Sequence, residues 1–387
     1  MGYVHVEIDA CQSPRRVGGL CGDVVSWERT VRGTTIICCD GIGSGIRANV
    51  AATMTVSRLH ELLRRDYSLR EAMAGVAGTM AGIRGSDLPY ACFTIARIAN
   101  DGETTVLSYE MPPAIVISAK KFATVLPHRT LLLDNALVHE SDCYVEPGEA
   151  LMLVSDGVTQ AGLGAGYAEG WGIEGACRYI NGKLSTGLPL DKLSASVHFQ
   201  AQNLSEEPGR LAQGDDCTVL LARCRQGRIV NVLTGPPADE EDDGAVVRRF
   251  MSLEGRKVVC GGTTAKIVAR HTHTSVAVRQ EASSLIAPPD YVLKDVDLAT
   301  EGAVTLNQAY NIIDEDPGKY EKATGVSRLC ELLREADRVL FLVGRKRNAD
   351  HDNIAFRQRG ILHRENIVPL LAEKLRRAGK LVTVEYL

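Results

Sequence analysis

At 387 residues, with 45% hydrophobic and 24% charged side chains, the chain has the composition of an ordinary globular protein and the length for two domains. Its formal net charge of −4 gives no overall attraction to nucleic acid or to an acidic membrane surface, so neither is expected as a partner. No run of about 18 apolar residues is present to span a bilayer, and Met1-Gly2-Tyr3-Val4-His5-Val6 has no basic stretch leading into an apolar one, so no export segment is expected.

The first predicted unit is a loop, Cys11 to Cys21, leading through Gly22-Asp23 into a strand from Val24 to Trp27. Gly18, Gly19 and Gly22 loosen the backbone next to that one acid, which is consistent with a plain turn or with a site. Thr34 to Cys39 follows, uncharged and β-branched at four of six positions, the pattern of a strand buried on both faces. It stops on Asp40, with Gly41, Gly43 and Gly45 behind it, so a carboxylate sits at the rim of the sheet where the backbone can approach a ligand. Ala52, Val56, Leu59 and Leu63 then recur at helical spacing against Arg58, Glu61 and Arg65, predicting an amphipathic helix just after the glycines. Ser68 three residues before Glu71 forms a capping box and starts a second helix, running to Gly85.

From Pro89 the pattern changes to short strands: Ala91 to Ile98, Thr104 to Glu110 and Ala114 to Ser118, with Asn100-Asp101-Gly102 as a hairpin turn between the first two. After Pro147-Gly148-Glu149, the run Ala150 to Ser155 reads as a second buried strand stopping on Asp156-Gly157. Trp171 to Asn181 and Leu190 to Asn203 read as helices, and Gly214-Asp215-Asp216 leads into a strand from Cys217 to Ala222. Four acidic points at strand edges, Asp23, Asp40, Asp156 and Asp215/Asp216, converge on one rim if the sheets stack face to face. Without His or Cys ligands such a cluster suits hard cations, Mg²⁺ or Mn²⁺, whereas zinc is disfavoured and His-Glu-x-x-His is absent. The other reading of the same residues is four unrelated turns.

Eleven cysteines, an odd number with no Cys-x-x-Cys pair, suit free thiols in a reducing compartment, and a cytoplasmic location is expected. Cys38, Cys39, Cys92, Cys217 and Cys260 all lie in apolar runs.

At the four acidic positions the sequence resembles the metal-dependent protein serine/threonine phosphatases of the PPM family, in particular its bacterial SpoIIE-like branch. The resemblance is carried by Gly22-Asp23, by Asp40-Gly41-Ile42-Gly43-Ser44-Gly45, by Val154-Ser155-Asp156-Gly157-Val158-Thr159 and by Gly214-Asp215-Asp216-Cys217-Thr218-Val219, in family order over roughly residues 3 to 225. It implies an α+β fold: an N-terminal αββα sandwich of two antiparallel sheets flanked by helices, with two divalent cations, Mn²⁺ or Mg²⁺, at one edge. It further implies that Asp23 and Asp40 ligate the metals, with Asp40 bridging and the Gly41 carbonyl as a further ligand, that Asp156 and Asp215 complete the shell of the second metal, and that Asp216, at the position where many relatives have Asn, belongs to the metal-binding set. In that chemistry a water bridging two cations about 3.5–4 Å apart is deprotonated near neutral pH and attacks phosphorus in line. The expected activity is hydrolysis of phosphoserine and phosphothreonine on a phosphoprotein substrate, of the anti-sigma-factor antagonist type in this branch. No phosphate-gripping arginine or protonating histidine is clearly matched; Arg15, Arg16 and His5 are the candidates. Where relatives usually read Asn-Ala-Gly-His, this chain has Ser108-Tyr109-Glu110-Met111-Pro112-Pro113, which bears on substrate preference.

The phosphatase-like part is assigned to residues 1–227, and residues 228–387 to a smaller α/β domain that is regulatory or docking and resembles no recognised family. Arg228 to Leu233 reads as a strand, and Asp239-Glu240-Glu241-Asp242-Asp243 as the favourably charged start of a helix from Ala245 to Leu253. Lys257 to Cys260 reads as a strand, and Gly261-Gly262-Thr263-Thr264 opens the next helix, either as a tight turn or as an anion site, without the Gly-x-x-x-x-Gly-Lys or dinucleotide fingerprints. His271 and His273 are expected to alternate on one face of a strand. Arg338 to Val343 and Leu381 to Tyr386 read as strands, with a helix from Asn366 to Ala378 between them. Two alternatives to an active phosphatase stand beside it: a silent scaffold of the same fold, and a module sensing a ligand or a partner through its second domain.

Overall fold

The computed structural model describes residues 2–16, 18–85, 87–205, 215–280, 290–319, 324–346 and 360–387. Gly214, part of the fourth acidic motif, lies outside the described residues. The chain divides into two compact units, Tyr3–Gln226 and Gly227–Leu387.

In the first unit, one antiparallel sheet has the order β1-β11-β10-β6-β7, from Val4–Ser13, Cys217–Gln226, Ala150–Val154, Ile115–Ile117 and Ala123–Val125. The other has the order β2-β3-β4-β5-β9-β8, from Val24–Thr30, Gly33–Gly41, Ala91–Ile98, Glu103–Tyr109, Ala136–Tyr144 and Arg129–Leu133. Side chains that alternate along each strand feed two different apolar layers. Ile36 and Cys38 of β3 point between the sheets, with Val6, Ala96, Leu153 and Leu220. Ile37 and Cys39 point the other way, onto Leu59 of helix α1 (Ile46–Arg64) and Met73 of α2 (Leu69–Ile83). Met152 and Val219 of the first sheet pack outward against Ile180 and Val197, from α4 (Gly172–Ser185) and α5 (Leu193–Ser205), while the short α3 (Asp156–Thr159) follows β10 directly. The result is the αββα sandwich, and every residue of β3 is buried, as an uncharged β-branched run requires.

Local signals act as read. Ser68 caps α2, its Oγ accepting from the Glu71 N–H at 3.2 Å while Glu71 Oε2 accepts from the Ser68 N–H at 2.8 Å. β4 and β5 form the hairpin around Asn100–Gly102, where Gly102 has φ 96°.

The second unit has a seven-stranded sheet in the order β14-β15-β16-β13-β12-β17-β18. Its strands are β12 (Ile229–Thr234), β13 (Arg256–Cys260), β14 (Ala277–Gln280), β15 (Asp290–Val292), β16 (Leu298–Thr300), β17 (Arg338–Val343) and β18 (Leu381–Tyr386). β16, β13, β12, β17 and β18 run parallel. Helices α6 (Asp243–Ser252) and α7 (Gly262–His271) cover one face through Phe250 and Val268. Helices α8 (Ala303–Ile312), α9 (Gly325–Glu335) and α10 (Arg364–Arg377) cover the other through Leu306, Leu329 and Leu371. One expectation is corrected: His271 ends α7 and His273 sits in the turn after it with φ 54°, so the two do not share a strand face. The alternating His271-Thr272-His273-Thr274 run imitates a strand, but α7 has already used its last turn to bury Val268 and Ala269. No described helix is long and apolar enough to cross a membrane.

Candidate metal centre

Register brings the first pair of acids together. Val24 of β2 pairs with Cys39 of β3, so Asp23, one residue ahead, faces Asp40 at the same edge. On the other sheet Val154 pairs with Val219 and the Ser155 N–H donates to the Thr218 carbonyl at 3.0 Å, so Asp156 leaves β10 beside Asp216. The two edges are tied by a side chain: Thr218 Oγ1 donates to Asp23 Oδ2 at 2.6 Å. Gln12 of β1 adds a second tie, its Nε2 donating to the Asp23 carbonyl at 3.4 Å as well as to Thr218 Oγ1 at 3.0 Å. The sandwich therefore gathers Asp23, Asp40, Asp156 and Asp215 from four separate places in the chain onto one rim.

Electrostatics report how close they are. Burial, first of all, raises Asp23, Asp40 and Asp156 above the usual carboxylate range, and their neighbours' charges add to it: Asp216 and Asp156 on Asp23, Asp23, Asp156 and Asp215 on Asp40, Asp215 and Asp216 on Asp156. Asp40 and Asp156 also act directly on each other, the Asp156 carboxylate helping to raise Asp40 and the Asp40 carboxyl lowering Asp156 against its burial. Asp23 Oδ1 is buried without a hydrogen-bond partner, with the Ser155 hydroxyl near it. Gln160 Nε2 donates to Asp156 Oδ2 at 2.8 Å, and Asp215 Oδ1 accepts from the Asp216 N–H at 2.9 Å.

These features fit hard divalent cations. The donors are all oxygens, burial and like charge hold three of them above the usual carboxylate range, and one buried lone-pair site has nothing to bond. Among the described residues, no three His, Cys, Asp or Glu side chains already surround a common point that could hold an ion.

Asp216 bonds backbone with both of its carboxylate oxygens. Its Oδ1 accepts from the Arg15 N–H at 2.7 Å and its Oδ2 from the Gly22 N–H at 2.9 Å, so it clamps both ends of the loop that leads to Asp23. Nothing in the text around Asp216 signals this, since its partners lie about two hundred residues away. The glycines flanking the acids are needed for contact as much as for conformation. A Cβ on Gly41 would lie 2.0 Å from the Ala48 carbonyl oxygen, and one on Gly157 would lie 2.1 Å from that of Asp216. Only Gly43 and Gly45 of the first motif have positive φ, 110° and 70°.

The candidate arginines and histidine fare unequally. Arg15 and Arg16 are exposed in the clamped loop. His5 is buried in β1 beside Tyr3, eight residues before Ser13, hence roughly 27 Å along the strand from the edge where Ser13 pairs with Cys217. The altered loop supplies a further acid: Glu110, across β4 and β5 from Cys92, which itself pairs with Asp40. Glu110 bonds the Tyr90 hydroxyl and pairs with Arg84 at 2.7 Å. Sequence reasoning missed Thr218 and Ser155 as site residues, although each is the one hydroxyl in an apolar strand run beside an aspartate.

Cysteines near the rim are not nucleophiles. Burial, with the Asp23 charge adding, pushes the thiols of Cys21 and Cys217 up to about 12, and all eleven cysteines are unpaired.

Residues 30–225 match the family model of stage II sporulation protein E (SpoIIE). Among solved structures the chain is similar to the RsbU and RsbW domains of a Mycobacterium tuberculosis protein, at 16% identity and TM-score 0.48, covering 64% of this chain and 68% of that one. It is similar to the PP2C phosphatase domain, with a fragment of the regulatory domain, of the cell fate determinant SpoIIE from Bacillus subtilis, at 18% identity and TM-score 0.47, covering 58% and 64%. It is also similar to RsbX in complex with magnesium, at 17% identity and TM-score 0.41, covering 58% and 100%. No curated protein matches the chain.

Proposed function

The chain belongs to the SpoIIE family with its PPM-type phosphatase domain, and from that premise we propose that residues 1–227 hydrolyse phosphoserine and phosphothreonine esters on a protein substrate. The observation that carries the reading is the rim where Asp23, Asp40 and Asp156 are raised by burial and by the neighbouring carboxylates, that of Asp215 among them. In this reading those four carboxylates and the Gly41 carbonyl hold two divalent cations, Mn²⁺ or Mg²⁺. When bound, the cations supply Lewis acidity to water and to the phosphate oxygens.

The chain's own groups do the rest. Thr218 and Ser155 orient Asp23, Gln160 orients Asp156, and Asp216 holds the loop that delivers Asp23. With Cys21 and Cys217 held as thiols, no side chain at the rim competes with water as the nucleophile. The eleven unpaired cysteines support a cytoplasmic setting. A regulator of the anti-sigma-factor antagonist type is the substrate class we propose, and residues 228–387 are proposed to regulate or dock.

A second reading, a silent scaffold, draws on one observation: among the described residues no three side chains already surround an ion position. Phosphate release from phosphoserine peptides, with Mn²⁺ and with chelator, separates the two. Metal-dependent turnover supports the phosphatase; intact protein that neither binds Mn²⁺ nor turns over sinks it.

A further inference from the structure

In the second unit the chain starts at β12, steps to β13 and β16 on one side, then returns to β17 and β18 on the other. In open α/β sheets, ligands bind outside the carboxyl ends of the strands where the order reverses in this way. A cavity of about 610 Å³ lies there, with Thr234 to Pro236 after β12 on one side and Arg345 and Lys346 after β17 on the other.

Two helix N-termini abut at its floor. Gly261 precedes α7 and Gly302 precedes α8, and a Cβ built on Gly302 would lie 3.4 Å from the Gly261 Cα. Neither helix has a capping side chain or an acid in its first turn, so both leave their first N–H groups unmatched. By contrast α9 in the same unit carries a full capping box from Thr324. Paired, uncapped helix starts ten residues long are a seat for one phosphate group.

An independent observation points to what else the ligand carries. Asp243 lines the same cavity with only 3% of its side chain exposed; Arg270 bonds its Oδ2 at 2.7 Å, and its Oδ1 has no partner. A buried carboxylate oxygen in that state needs a donor, which a phosphate alone at neutral pH does not offer and a hydroxyl does. The charges on the wall also limit the ligand. Its cations, Arg270, Arg345, Lys346 and Arg364, are matched in number by Glu240, Asp243, Glu301 and Glu365, and Lys346 and Arg270 are already paired to Glu240 and Asp243, so the wall offers a polyphosphate no net positive charge.

We propose that this cavity binds a small phosphate monoester with neighbouring hydroxyls, its phosphate on the starts of α7 and α8 and a hydroxyl on Asp243. Nucleoside 5′-monophosphates and sugar phosphates share that chemistry, and the test distinguishes them.

Calorimetric titration of the full chain in chelator, which removes any metal bridge at the other unit, uses AMP, GMP, CMP, UMP, ribose 5-phosphate, inorganic phosphate, adenosine and ATP. The expected result is binding of at least one monoester, with inorganic phosphate, adenosine and ATP about tenfold weaker or more. Binding by nucleotides but not ribose 5-phosphate assigns the base a share of the contact. Gly302→Ala is accommodated, since its Cβ meets nothing closer than 3.4 Å, but it fills the gap between the helix starts. Asp243→Asn keeps one oxygen, which Arg270 claims. Each is expected to weaken the monoester about tenfold or more. No monoester binding up to about 1 mM overturns the proposal, as do inorganic phosphate binding equally well or wild-type affinity in both variants.

Discussion

Thr218 donates its hydroxyl to Asp23 across the two sheets at 2.6 Å, and that bond fixes a rim carboxylate whose other oxygen is buried without a hydrogen-bond partner. The centre thus depends on how the sandwich is joined as well as on which acids it carries.

Thr218→Val should remove this tie. A hydrogen bond to a buried charged group is worth about 1.5–3 kcal/mol, so denaturant unfolding of the metal-free variant should show a loss in that range. Thr218→Ser keeps the hydroxyl and should recover most of it. Equal stability of the valine and serine variants would remove the joining role.

Asp216 should behave as a clamp. Asp216→Ala leaves the Arg15 and Gly22 N–H groups without these acceptors, at a cost of about 1–3 kcal/mol, most of it from the buried Gly22 N–H. Hydrogen exchange should speed up at both ends of the loop. Mn²⁺ affinity should fall less than in Asp215→Ala; the reverse order would make Asp216 a ligand.

Gly41 and Gly43 should separate by mechanism. Alanine at Gly41 drives a methyl to 2.0 Å from the Ala48 oxygen and must displace α1, whereas alanine at Gly43 meets nothing within 4 Å and pays only for its φ of 110°. The first should cost about 3 kcal/mol or more and the second about 1–2 kcal/mol. Thermal unfolding of the two variants checks the order.

The metal-free protein should lose stability as pH rises. Asp23, Asp40 and Asp156 all have folded-state values raised by burial and mutual repulsion. A raised carboxylate contributes stability that is complete below its unfolded value, about 4, and is lost as pH climbs through the folded value. In chelator, the denaturant midpoint should therefore fall from mildly acidic pH towards neutral, and Mn²⁺ should restore it at neutral pH. A midpoint that rises over the same window, at constant salt, contradicts the coupled rim.

Much of this was legible before any coordinates. The four acidic motifs, the Ser68–Glu71 cap and the Asn100–Gly102 hairpin are local signals, set by neighbours within a few residues. What escaped the reading is non-local or unpatterned. β8 is an edge strand and β9 its neighbour, with Leu132 and Leu137 exposed, so they lack a clean alternation, and their turn uses Asp134 at φ 51° in place of a glycine. The clamp by Asp216, the contact demand on Gly41 and the abutting helix starts at Gly261 and Gly302 all depend on residues far away in the chain. The His271/His273 error came from reading period two where a helix was ending.

The most direct test pairs two readouts on one variant. Asp40→Asn removes a carboxyl that must take up a proton, or stay charged beside its neighbours, when the chain folds, so in chelator near neutral pH it should be more stable than the wild type by roughly 1–3 kcal/mol, or about 2–4 °C per kcal/mol in Tm. The same variant should lose Mn²⁺-dependent phosphate release from phosphoserine peptides. A gain in stability with loss of turnover is the predicted result; wild-type turnover by Asp40→Asn would contradict a hydrolytic centre built on these carboxylates.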